Sequence, residues 1–180
     1  ADNAGNSAAP SANAPGDITV APGETDVEIQ RLTFNDGNDG DGAAQINNLT
    51  ISMASGSADN IATLKFINET SGNEIATGQV GEVVTLSPAL TVPDDGNADL
   101  IVTADLNESV GVATDDSFET ELSQVGSADN GPTFNNTGLS VTNGDETYNT
   151  GSFSVNSFDQ ANKDERVNVN VTFTTPAASA

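Results

Sequence analysis

Oxygen ligands are concentrated at one point of this chain. Residues 35–42 read Asn-Asp-Gly-Asn-Asp-Gly-Asp-Gly, which places Asp36, Asn38, Asp39 and Asp41 in one glycine-rich loop. A hard Ca²⁺ ion takes roughly six to eight oxygens from such loops. The EF-hand spacing fails, because Gly40 stands at the third ligand position when Asp36 is the first, and no Glu closes the loop. The plain expectation is a solvated turn. No cofactor is implied elsewhere, and Ca²⁺ at these four residues is the one candidate.

Catalysis would have to rest on carboxylates and hydroxyls. Asp94-Asp95 and Asp115-Asp116 are adjacent pairs of the kind a glycosidase uses. Neighbours on a strand point to opposite faces, however, and no apolar stretch beside them promises a pocket that would raise one pKa. The chain has no His, no Cys and no Trp, and a single Tyr. A nucleophile therefore lacks its usual base, and a sugar site lacks its usual stacking platform. The expectation is a protein that is not an enzyme.

Five Asn-x-Ser/Thr acceptor sites occur, at Asn48, Asn68, Asn107, Asn135 and Asn170. A composition this rich in Asn, Ser and Thr yields about that many by chance, so their positions matter more than their number. Asn48 and Asn170 fall on polar faces of expected strands, and Asn68 and Asn107 just beyond strand ends. Glycans are thus possible partners at an exposed surface.

The first residues offer a different pattern. Ala8, Pro10, Ala12, Ala14, Ile18 and Val20 occupy even positions, with Ser7, Ser11, Asn13, Asp17 and Thr19 between them. Small residues at period two suit an extended segment laid along the sheet of another subunit, as in strand addition. Residues 1–17 are therefore read as an N-terminal extension that could act as a donor strand, and 18–180 as the domain proper. The competing reading is an Ala-rich linker.

Charge narrows the setting. Against 27 Asp and Glu stand two Lys and two Arg, for a formal charge of -23 and an isoelectric point near 4.1. Phosphate recognition needs clustered Lys and Arg, so nucleic acid is excluded as a partner, and anionic lipid surfaces are disfavoured. Such self-repulsion is tolerable in concentrated salt, where the Debye length falls from about 10 Å at 0.1 M to about 3 Å at 1 M. A halophile's protein is expected. No apolar run reaches the roughly 18 residues needed to span a membrane as a helix. The opening segment lacks the charged start and apolar stretch of a signal peptide, which fits a mature exported product.

The elements that must position these residues are strands. Val167, Val169, Val171 and Phe173 alternate with Asn168, Asn170 and Thr172; Leu100, Val102, Ala104 and Leu106 do the same, as do Leu49, Ile51 and Met53. Residues 61–67, 118–125, 139–142 and 152–158 are further candidates. Two runs change phase midway, Val27 and Ile29 to Leu32 and Phe34, and Phe153 and Val155 to Phe158. A β-bulge in each would return both sets to the core. Gly- and Asp-rich segments at 35–42, 94–96, 127–131 and 143–145 mark loops.

The stretches ITVAPGETDVEIQRLTF, INNLTISM and LTVPDDGNADLIVTADL, where a Pro/Gly turn leads into an alternating strand, resemble the immunoglobulin-like sandwich domains of prokaryotic surface proteins. The likeness spans roughly residues 18–106 and rests on turns and alternation. It implies an all-β, antiparallel immunoglobulin-like β-sandwich with an extended N-terminal tail, at a cell surface and outside the cell, and no activity. Together these features lead to the expectation of a structural subunit of an extracellular filament or pilus of a halophilic archaeon. Its copies would form a homopolymer by donor-strand exchange, as archaeal donor-strand pili are designed. The alternatives are an adhesin or S-layer binding module, and a surface or capsid protein of a virus of a halophile.

Overall fold

The computed structural model describes residues 6–37, 42–107, 117–127 and 139–148. The strands in chain order are β1 (Ser7–Pro10), β2 (Ile18–Val20), β3 (Val27–Asn35), β4 (Ala44–Ser55), β5 (Ile61–Asn68), β6 (Asn73–Gly78), β7 (Val84–Val92), β8 (Asn97–Leu106), β9 (Ser117–Ser127), β10 (Val141–Thr142) and β11 (Glu146–Tyr148). Among the described residues the one helical element is a 3₁₀ turn, Ala58–Asn60. No helix among them is long and apolar enough to cross a membrane. The protein is all-β, as its alternation requires.

The strands form two sheets. The first has the order β1-β3-β8-β5-β6, and every neighbouring pair in it is antiparallel. The second has the order β2-β11-β9-β4-β7, with β10 also paired to β9, and only β2 and β11 run parallel. Side chains of both sheets form one hydrophobic cluster, in which Phe34, Leu32, Phe66 and Leu100 of the first meet Ile46, Leu49, Ile51, Phe118 and Leu122 of the second. Each such side chain, fully buried, stabilises the fold by about 1.5–3 kcal/mol relative to exposure.

Leu100, Val102, Ala104 and Leu106 are buried as their alternation demands, and so are Leu49 and Ile51, while Met53 is partly buried against the cluster. The phase change in β3 is a register shift against β8 between Glu28 and Gln30. This bulge leaves Ile29 buried and turns Gln30, Leu32 and Phe34 to the same interior face. Residues 152–158 and the run Val167 to Phe173 lie outside the described residues. The Pro22-Gly23 turn leads from β2 into β3. Gly23 takes a φ of 75°, which glycine adopts without a Cβ penalty, and Glu24 N donates to Ala21 O at 3.1 Å. Leu106 N donates to Glu24 O at 2.8 Å, docking the turn on the end of β8.

The N-terminal segment departs from the single extended run expected over residues 8–20. A turn at Ser11–Ala14, closed by Ala14 N donating to Ser11 O at 3.0 Å, divides it. β1 joins the first sheet of its own chain and β2 joins the second. Residues 7–10 are thus paired with β3 of the same chain. The physical reason is local: Pro10 and the small polar residues after it favour reversal over continued extension.

Candidate functional site

The β1 edge of the first sheet carries a connected group of polar contacts among the described residues. β1 pairs antiparallel with β3, with Ala8 opposite Phe34, Ala9 opposite Thr33 and Pro10 opposite Leu32. Ser11 N then donates to Arg31 O at 2.8 Å. Because successive residues of a strand present their backbone groups to opposite edges, Pro10 has its nitrogen on the outer side, where a missing N–H costs no ladder bond. Ser11 is buried, and its hydroxyl donates to Asp99 Oδ2 on β8 at 2.8 Å. Thr33 donates to the other oxygen, Oδ1, at 2.6 Å.

Asp99 sits beside a cation shared among carboxylates. Arg31 donates from Nε to Glu28 Oε1 at 2.8 Å, from Nη2 to Glu28 Oε2 at 3.0 Å and from Nη1 to Glu69 Oε1 at 2.7 Å. Burial pushes the Asp99 carboxyl up, but hydrogen bonds from Thr33 and Ser11 outweigh it and hold the group below its ordinary value. Burial and a hydrogen bond shared with Asp99 push Glu69 the other way, upward. The chemistry is that of a latch: a charged acceptor on β8 holds the residue that follows β1.

A second polar group lies inside the core. Gln30 Nε2 on β3 donates to Thr120 Oγ1 on β9 at 3.0 Å, joining the two sheets. Gln30 is 0% and Thr120 1% exposed. Glu146 on β11 is 1% exposed and stands opposite Phe118 on β9. Burial pushes its carboxyl up to about 8, and Asp145, Glu119 and Asp17 add to the rise. Gln30 Oε1 and Glu146 Oε2 have no hydrogen-bond partner among the described residues.

The candidates from sequence distribute as follows. Asp36, at the end of β3, is buried, and its N donates to Gly96 O at 2.9 Å. It is thus part of the packed interior, not the solvated turn expected. Asn38, Asp39 and Asp41 lie outside the described residues, among which no three acidic side chains come together to hold a metal ion. Asp94 and Asp95 lie in the turn between β7 and β8, where Asp94 Oδ1 accepts from Gly42 N at 3.4 Å; Asp115 and Asp116 lie outside the description. Of the even-numbered N-terminal residues, Val20 is buried, Ala8 and Ile18 pack partly against the core, Ala14 is half-buried, and Pro10 and Ala12 are exposed. They do not share one face, because the turn intervenes.

Three acceptor asparagines are described. Asn48 in β4 lies against β9: a Cβ added at Gly126 would collide with its side-chain amide. Asn107 commits its Nδ2, donating to Asp59 O at 2.7 Å. At Asn68 the oxygen is engaged instead, accepting from Thr70 N at 3.0 Å and Ser71 N at 3.3 Å in the β5–β6 turn. Asn135 and Asn170 lie outside the described residues.

Sequence reasoning passed over Ser11, Asp99, Gln30, Thr120 and Glu146. Signals existed for two of them: counting back by twos from Phe34 and Leu32 reaches Gln30, and counting on from Phe118 reaches Thr120. Nothing in the short polar stretch around Glu146 marks it as interior. No protein-family model matches this chain, and neither a curated protein nor a solved structure is found similar to it.

Proposed function

We propose that this chain is a structural subunit of an extracellular filament or pilus of a halophilic archaeon, its two sheets forming an immunoglobulin-like sandwich and its copies joined by donor-strand exchange. The observation that carries the reading is the β1–β3 ladder. β1 is a four-residue strand of small side chains on the outermost position of the first sheet, and without it β3 becomes an open edge. An open edge is a template for a strand from another copy. The ladder within one chain is the self-capped arrangement. The same segment of a second copy would make the same bonds to β3, and a head-to-tail contact of this kind does not close, so it generates a fibre.

The charge of -23 supports a setting in concentrated salt. Among the described sequons, Asn68 suits a glycan best, because its turn uses the amide oxygen and leaves the nitrogen for attachment. The test is electron microscopy of the purified chain at molar salt, with and without residues 1–10. The full chain should form filaments, and the truncated chain should remain a folded monomer that binds a synthetic peptide of residues 1–16. Filaments built from the truncated chain would overturn the donor-strand reading.

A further inference from the structure

The contact between Gln30 and Thr120 places a hydroxyl against a carboxamide in the buried interior between two sheets. We propose that these two side chains react to form an intramolecular ester that cross-links β3 to β9. Thr120 Oγ1 adds to Gln30 Cδ, the Cδ–Nε2 bond breaks, and the hydroxyl proton ends on the leaving nitrogen, which departs as ammonia. One amide and one alcohol become one ester and one ammonia. No oxidant, reductant or further reactant is required.

Four features of the fold favour this step. First, the amide nitrogen that would leave, Gln30 Nε2, is held 3.0 Å from the attacking Thr120 Oγ1 on strands of two packed sheets, and such positioning replaces an encounter in solution. Second, both residues are buried, so water that would hydrolyse the ester is kept away. Third, the starting amide is poorly satisfied among the described residues: Oε1 has no partner there, and Nε2 makes one hydrogen bond, to Thr120. An ester carries no N–H donors, so conversion removes polar groups that are costly to bury.

Fourth, a proton carrier stands on the same interior face. Glu146 is the register partner of Phe118, two residues before Thr120 on β9, and all three are buried. Diagonal neighbours on paired strands lie about 7–8 Å apart, within reach of a long side chain. Burial keeps this carboxyl protonated near neutrality. A neutral carboxyl can take the hydroxyl proton on one oxygen while giving its own to the leaving nitrogen. The product would close a loop between residues 90 positions apart, a covalent brace in a chain without cysteine.

The test is the intact mass of the full chain, folded and incubated at molar salt, followed by digestion. The four basic residues make trypsin well suited, since cleavage after Arg31 and Lys65 separates Gln30 from Thr120. The expected result is a mass lower than the sequence mass by one ammonia, together with a branched product joining peptide 1–31 to the peptide that begins at residue 66. Thr120→Val should abolish both and Thr120→Ser should retain them. Glu146→Gln should slow the loss of ammonia, and the wild-type rate should fall as pH rises past the titration of this carboxyl. Cyclisation at Asn143-Gly144 would lose the same mass without a branch and would persist in Thr120→Val. An unaltered intact mass in wild-type protein that still unfolds cooperatively overturns the proposal without recourse to any variant. So does a mass loss with no branched product.

Discussion

The hydroxyl of Ser11 reaches across 88 positions of sequence to donate to Asp99 Oδ2 at 2.8 Å, so the residue that follows the N-terminal strand is fastened to the middle of the first sheet. This bond and the neighbouring one from Ser11 N to Arg31 O hold β1 against β3 beyond the point where Pro10 ends the strand.

Ser11→Ala should therefore loosen β1 without unfolding the sheets. Hydrogen bonds to charged groups are worth about 1.5–3 kcal/mol, and partial exposure of Asp99 reduces this to roughly 1 kcal/mol. Hydrogen exchange at the amides of Ala9 and Ser11 should accelerate, while that of Leu100 and Val102 stays slow. Unchanged protection at Ala9 and Ser11 would show that the latch holds nothing.

Stability should fall as pH rises from about 4.5 toward 8. Glu146 has a folded pKa raised from 4.5 to about 8, chiefly by burial and further by Asp145, Glu119 and Asp17. In that window the folded state binds more protons than the unfolded state, so its stability is full below the lower value and is lost on the way to the higher one. The slope is about 1.4 kcal/mol per pH unit for one group. Glu146→Gln should flatten Tm against pH, and should stabilise the protein most at pH 8. Because burial dominates, the slope should survive molar salt. A wild-type Tm independent of pH across this range would refute the assignment.

Salt itself should raise Tm. Among the described residues the cations are already shared, Lys65 between Asp26 and Asp105 and Arg31 between Glu28 and Glu69, and the whole sequence sets 27 carboxylates against four cations. Dilution to about 0.1 M lengthens the Debye length roughly threefold relative to 1 M and restores their repulsion. A melting curve that does not move between low salt and 2 M would end the halophile reading.

Gly56→Ala should be more damaging than its size implies. Gly56 has a φ of 75°, and a Cβ there would meet Phe118 Cβ at 2.7 Å and Phe118 Cα at 2.9 Å. Both strain and a clash with packed backbone follow, so the loss should exceed about 1 kcal/mol in urea denaturation. Gly72→Ala, also at positive φ but facing open space, is the control that carries the strain alone.

The all-β class, the core faces of β3, β4 and β8, and the bulge in β3 were legible in the sequence, because strand periodicity is a local record of which side chains avoid water. Three strands were not. β6 and β11 are short and carry too few apolar residues to show a period, and β7 holds Pro88, which reads as a break in isolation. β7 tolerates it as the last strand of the second sheet among the described residues, where one edge has no ladder to feed. Alternation also says which way Gln30 and Thr120 point, yet nothing local says that they meet. That depends on β3 and β9 facing each other across one core, and the burial of Glu146 depends on β11 lying between β2 and β9. The order of strands is decided by contacts between residues far apart in the chain, whose packing no short window of sequence contains.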